Sequence, residues 1–281
     1  MKNRKFGSCL LVVFIFCIAG CSSIKLGYGY LDWYLVSKID DYFDLSNDQK
    51  AVVKEEVLIL IKWHRHVELP QYVAFLKEAR EKLLKDVTPK EIDYIFQQYE
   101  VAKIRLFEHC IPVGAKLLTQ LNKNQVDYFQ KEIKESNEEI AEEHNLSAAE
   151  LNKKRNEKAL KSYADWVGSL NEQQEKMIVE FEQGLSDLYA EYMDQRLKRQ
   201  GIFVNTLLEF PKDQQKLEET LKALWLGDED PAYREKSAMN KKAYSVFMPI
   251  FYQSMTAEQR SYFFKKSDKL IADFEELSQQ Q

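Results

Sequence analysis

Cysteine, glycine and proline are all scarce here: 281 residues contain four, nine and six of them. Three of the cysteines, Cys9, Cys17 and Cys21, crowd the N-terminal end, so beyond residue 21 only Cys110 remains. A single thiol can form neither an intramolecular disulfide nor a cysteine metal site, and Cys110 reads as a small buried apolar residue. No Gly-rich phosphate loop, Gly-x-Ser-x-Gly elbow or His-Glu-x-x-His motif is present. Only four histidines occur, and His64 and His66 point roughly 200° apart on a helix, too divergent to share a metal ion. No Glu-x-x-His spacing of the di-iron bundle type accompanies them, so no metal and no dissociable cofactor is expected.

Positive charge is also in deficit. Forty basic side chains face 45 acidic ones, a formal net charge of −5 that falls to −8 without residues 1–20. That balance argues against nucleic acid as a partner and against broad electrostatic adhesion to an anionic bilayer. The longest apolar run, Leu10 to Ile18, is too short to span a bilayer, which takes about 20 residues.

What that run does carry is an export signal. Lys2, Arg4 and Lys5 precede it, and Ile18-Ala19-Gly20-Cys21 closes it as a lipobox. The expectation is a cleaved signal peptide over residues 1–20, with Cys21 carrying a thioether-linked diacylglycerol and a further acyl chain such as palmitate on its amine. Two or more chains hold a protein stably on a membrane. Ser22, in the position where Asp favours inner-membrane retention, directs the protein to the outer membrane, facing the periplasm. Residues 21–281 are then expected to form a single helical periplasmic domain. Tyr28, Tyr30, Trp33 and Tyr34 follow almost at once. They either lie at the headgroup level as amphipathic anchors or pack into the domain's first layer.

Apolar residues recur at helical spacing with almost no strand-type alternation. Tyr72, Phe75, Leu76, Ala79 and Leu83 make one stripe, with Lys77, Glu78, Arg80 and Glu81 opposite. Capping boxes recur, an apolar residue, Ser, Thr or Asn, two residues, then Gln or Glu: Ser46–Gln49, Thr88–Glu91, Asn122–Gln125, Ser147–Glu150, Asn171–Gln174 and Thr256–Gln259. Each is worth about 1 kcal/mol. With Pro70, Pro112, Pro211, Pro231 and Pro249 as breaks, helices are predicted over 31–43, 46–67, 70–85, 88–109, 112–119, 122–144, 147–168, 171–200, 202–209, 211–225, 231–252 and 256–278. Gly201 reads as a hinge or C-cap, and residues 226–231 as the clearest loop. The fold class is all-α, an irregular bundle of about ten to twelve helices, and the uneven box spacing excludes a fixed-period solenoid.

The densest cluster of chemistry runs from Trp63 to Tyr72, where aromatics, ionisable groups and a proline meet. Asp32, Trp33, Trp63, His64, Arg65, Pro70 and Tyr72 are candidate partner-binding residues, since Trp, Tyr and Arg carry most interface energy. A purely structural helix corner is the alternative. No catalytic constellation is evident, and an enzyme is not expected.

Two resemblances add to this reading. The lipobox, Leu26-Gly27-Tyr28 with Asp32-Trp33, Tyr42-Phe43-Asp44-Leu45 with Gln49, and Trp63-His64-Arg65 with Leu69-Pro70-x-Tyr72 resemble an uncharacterised family of proteobacterial envelope lipoproteins. The resemblance implies class and location, not activity. The boxes also look like the Leu-Thr-x-x-Gln repeats of periplasmic stress-response chaperones, with Met255-Thr256-Ala257-Glu258-Gln259 nearest to the motif. The leading expectation is an outer-membrane-anchored lipoprotein that binds or scaffolds a protein partner in the envelope. The alternatives are an ATP-independent chaperone with an apolar concave face, and an envelope hydrolase with a carboxylate pair or a His–acid pair in a pocket.

Overall fold

All six capping boxes form as read: each Ser, Thr or Asn accepts a backbone N–H of the first turn, and each Gln or Glu reaches back to the cap amide. The computed structural model describes residues 23–85, 87–227 and 229–280; the signal segment, Cys21 and Ser22 lie outside them. In chain order the helices are α1 (Ser23–Gly29), α2 (Leu31–Phe43), α3 (Asn47–Trp63), α4 (Leu69–Leu83) and α5 (Pro89–Leu118). There follow α6 (Lys123–His144), α7 (Ala148–Val167), α8 (Glu172–Gln183), α9 (Tyr189–Glu209), α10 (Gln214–Leu226), α11 (Pro231–Ser254) and α12 (Ala257–Gln279). A five-residue π-helical segment, His64–Glu68, joins α3 to α4. No strand occurs among the described residues, and the fold is all-α.

Three expected boundaries are corrected. The helix expected to stop at 109 runs on through Pro112 to Leu118 as α5. A proline inside a helix removes one bond and clashes with the preceding turn. Here Ile111 and Ala115 are buried on either side of it, and their packing holds the helix together. The gap expected between 67 and 70 is the π segment, with helical backbone on both sides. The stretch expected as one helix over 171–200 instead breaks between α8 and α9. There the Asn240 side chain pairs with both the N–H and the carbonyl of Ser186, each at 2.9 Å. Gly201 is neither hinge nor cap; it sits inside α9, where an added Cβ would meet nothing within 4 Å.

Three apolar cores follow from the amphipathic stripes. The largest joins α2, α3, α6, α10 and the C-terminal parts of α5 and α9 around Val57, Ala115, Phe129, Leu207 and Leu217. The second joins α1, α4 and α12 through Ile24, Leu69, Val73, Ile271 and Leu277. The third joins α7, α8 and α11 through Val167, Ile178, Phe247 and Phe251. Each fully buried Leu or Ile contributes roughly 1.5–3 kcal/mol. Helix α5 is the spine, packing against α3, α4, α10 and α11.

The four glutamine boxes do more than cap. Gln49 and Gln125, 76 residues apart, exchange side-chain amide hydrogen bonds of 3.1 and 2.7 Å. Each Nε2 also donates to the carbonyl at the partner helix's entry, Gln120 or Asp44. Gln174 and Gln259 repeat the arrangement at 2.9 and 2.8 Å, with the Ser254 and Ser169 carbonyls as acceptors. Two pairs of helix starts are thus clasped to one another. A carboxylate has no donor, so the glutamate boxes cannot pair this way; Glu91 and Glu150 bond only within their own caps.

Replacing Gln174 by Leu strands the buried Gln259 amide and the Ser254 carbonyl, and a loss of about 2 kcal/mol is expected. The melting temperature should then fall by roughly 2–4 °C per kcal/mol, measured by circular dichroism. Glu150→Ala, in an unpaired and exposed box, should leave the melting temperature nearly unchanged.

Candidate functional site

The helix corner singled out in the sequence is a buried joint. Pro70 has no N–H for the carbonyl four residues back, and the wider π turn takes up the mismatch. The turn carries His64 inward, where its Nδ1 meets the Tyr28 hydroxyl at 2.8 Å. Tyr72 stands edge-on to the His64 ring, 5.5 Å away. Trp63 stacks on His109 of α5 at 3.7 Å, and the Arg65 guanidinium lies 5.2 Å over the Tyr28 ring. Glu68, 1% exposed, receives the Arg105 guanidinium through bonds of 2.9–3.3 Å.

The structure therefore gathers Trp63, His64, Arg65 and Tyr72, and adds Tyr28, Glu68, Arg105 and His109, which the sequence reading had not joined to them. Pro70 lies exposed at the start of α4, and Trp33 is exposed on α2. Burial pushes His64 down to about 4, only partly opposed by the Glu68 charge. Burial likewise raises the Tyr28 hydroxyl to about 12 and the Cys110 thiol to about 11, which leaves that thiol protonated at neutral pH.

The four N-terminal aromatics divide. Tyr28 packs inward on the corner, and Tyr34 is half-buried. Leu26, Tyr30 and Trp33 are 65%, 67% and 67% exposed. Leu26 sits on α1, Tyr30 at the turn between the helices and Trp33 on α2, so this exposed stripe runs across the start of the fold.

A concavity lies elsewhere. A cleft of about 690 Å³ is lined by residues of α4, α5, α7, α8, α11 and α12. It is the gap that keeps the second and third cores apart, and Trp166 of α7 borders both. Phe75, Leu76, Ala159, Met248 and Phe251 make its walls; Arg80, Arg155, Lys158, Glu182 and Tyr244 supply charge and polarity. Arg80 is engaged by Asp268 at 2.5 and 3.1 Å, and the Tyr244 hydroxyl donates to Glu182 at 3.0 Å. Burial, and after it the Glu182 charge and contact, raises the pKa of the Tyr244 hydroxyl above its ordinary value. The lining contains one carboxylate, Glu182, and no histidine. Sequence reading missed the cleft because its walls come from several helices far apart in the chain.

A model of a family of unknown function (DUF6279) matches residues 41–230. The chain belongs to that family. The match includes residues 63–72 of the corner and the Gln49–Gln125 clasp, whereas Tyr28 and the cleft-lining helices α11 and α12 lie beyond it. No curated protein and no solved structure matches the chain.

The depressed His64 sets an acid limit. The unfolded chain takes up the proton first as pH falls, so stability present above pH 6.5 is lost on the way to about pH 4. The loss amounts to about 3 kcal/mol. Melting curves at pH 7.5 and 4.5 should show this dependence, and His64→Gln should flatten it. Arg105→Met strands a buried carboxylate and should destabilise the fold by about 3–5 kcal/mol in the same assay.

Proposed function

We propose that this protein is an outer-membrane lipoprotein of the proteobacterial envelope, facing the periplasm, that binds or scaffolds an envelope protein partner. Its activity is holding, not turnover. In this reading Cys21 carries the acyl chains, and no dissociable cofactor takes part.

The observation that carries the reading is the stripe Leu26–Tyr30–Trp33, exposed within the first turns after the lipobox cysteine. Amphipathic aromatics settle at the membrane–water interface. The acyl chains supply the affinity and the stripe sets the orientation, with the acidic chain gaining little from anionic headgroups. No helix among the described residues is long and apolar enough to cross a membrane. The partner would meet the outer side of the corner, where His66, Val67, Pro70 and Gln71 are exposed above the buried joint. Substitutions at Trp63 or His64 would act through that joint.

A second reading, an ATP-independent chaperone, is favoured by the apolar cleft alone. Prevention of aggregation of a denatured model substrate by the full chain tests it.

Metabolic labelling with a tritiated fatty acid should mark the wild type and not Cys21→Ser; equal labelling would overturn the anchor. In vesicles containing brominated phospholipid, part of the tryptophan emission should be quenched, and Trp33→Phe should remove that part. Unquenched emission from acylated protein would separate the stripe from the membrane while sparing the anchor.

A further inference from the structure

We infer that the cleft between α4, α7, α8, α11 and α12 binds a single-chain anionic amphiphile, a fatty acid or a lysophospholipid. The inference is independent of how the protein is anchored.

Volume comes first. About 690 Å³ lies within the range of roughly 300–1,000 Å³ typical of small-molecule sites, and its walls are aliphatic and aromatic. Apolar walls favour a hydrocarbon occupant over water. Leu76, Trp166, Met248 and Phe251 offer a continuous surface for one acyl chain.

Charge selects the head. Arg155 and Lys158 project from one side of α7 into the lining, three residues apart. Among the described residues, no carboxylate pairs with either. The Arg155 Nη2 donates to Asn152 at 2.7 Å, a neutral partner, while its buried Nε has none. A buried guanidinium nitrogen without an acceptor is costly, and a carboxylate or phosphate oxygen is its natural complement. The remaining charges are already satisfied: Arg80 by Asp268, and Glu182 by the Tyr244 hydroxyl. A neutral amphiphile would leave Arg155 as it is, and a cationic one would be repelled.

The test uses the full-length protein in its native membranes and a palmitic acid bearing a chain-end diazirine and an alkyne. The matching fatty alcohol, with the same two groups, serves as the second probe. Irradiation should place the acid on peptides of α7 or α11, and excess palmitate or lysophosphatidylglycerol should compete. Whichever competitor acts more strongly identifies the source of the head. Ala159→Trp, which fills the cleft, should cut labelling about tenfold, a loss of one decade in occupancy. Arg155→Gln, at a half-buried position that leaves the cores intact, should cut labelling by the acid about tenfold and leave that by the alcohol unchanged.

Adducts confined to residues 26–33 would report membrane contact only and overturn the inference. So would undiminished labelling of Ala159→Trp with unchanged circular dichroism. Equal labelling of wild type and Arg155→Gln by the acid would remove the anionic head. Competition by a denatured protein and by neither lipid would reassign the cleft to protein clients.

Discussion

A primary amide offers two donors and an acceptor in one plane, and this fold depends on two places where such amides face each other. Each of Gln49, Gln125, Gln174 and Gln259 closes its own N-cap and, with the same oxygen, accepts from a glutamine 76 or 85 residues away. The second nitrogen hydrogen then satisfies the carbonyl of the turn that leads into the partner helix. Local and long-range bonds therefore share atoms, so helix starts and tertiary contacts stand or fall together. The likeness of these boxes to Leu-Thr-x-x-Gln repeats has a physical content: glutamine at that position can both cap and bridge.

The clasps also explain the layout of the cores. One joins α3 to α6 beneath the large core, and the other joins α8 to α12 beside the third. Between them the π turn swings α4 onto α12, making the second core, and Glu68 with Arg105 ties that turn to α5. Helices tethered at fixed ends cannot all close on one another. The space left along α7 is the cleft, rimmed by Arg155 and Lys158.

Much of this was legible in the residues. The capping boxes located helix starts because the cap bonds are made within four residues, and the apolar stripes located buried faces because helical periodicity is local. The exceptions are instructive. Pro112 failed to break α5, because Ile111 and Ala115 pack on both sides of it. The break before α9 came from Asn240, which is distant in sequence. At the corner, aromatic and ionisable residues looked like a surface for partners, yet most of them face one another. Residue type alone does not distinguish an interface from a joint, since both use Trp, Tyr and Arg.

Sequence alone determined the all-α class, the six caps and the acidic balance, since each depends on neighbours within a turn or two or on composition. Tertiary structure decided which glutamines pair, that His64 turns inward while Trp33 faces out, and that α7 borders a cleft instead of sealing it. Those outcomes depend on atoms from 36 to 188 residues apart meeting in one place. No local pattern encodes such a meeting, because burial is a property of the assembled neighbours and not of the chain segment that is buried.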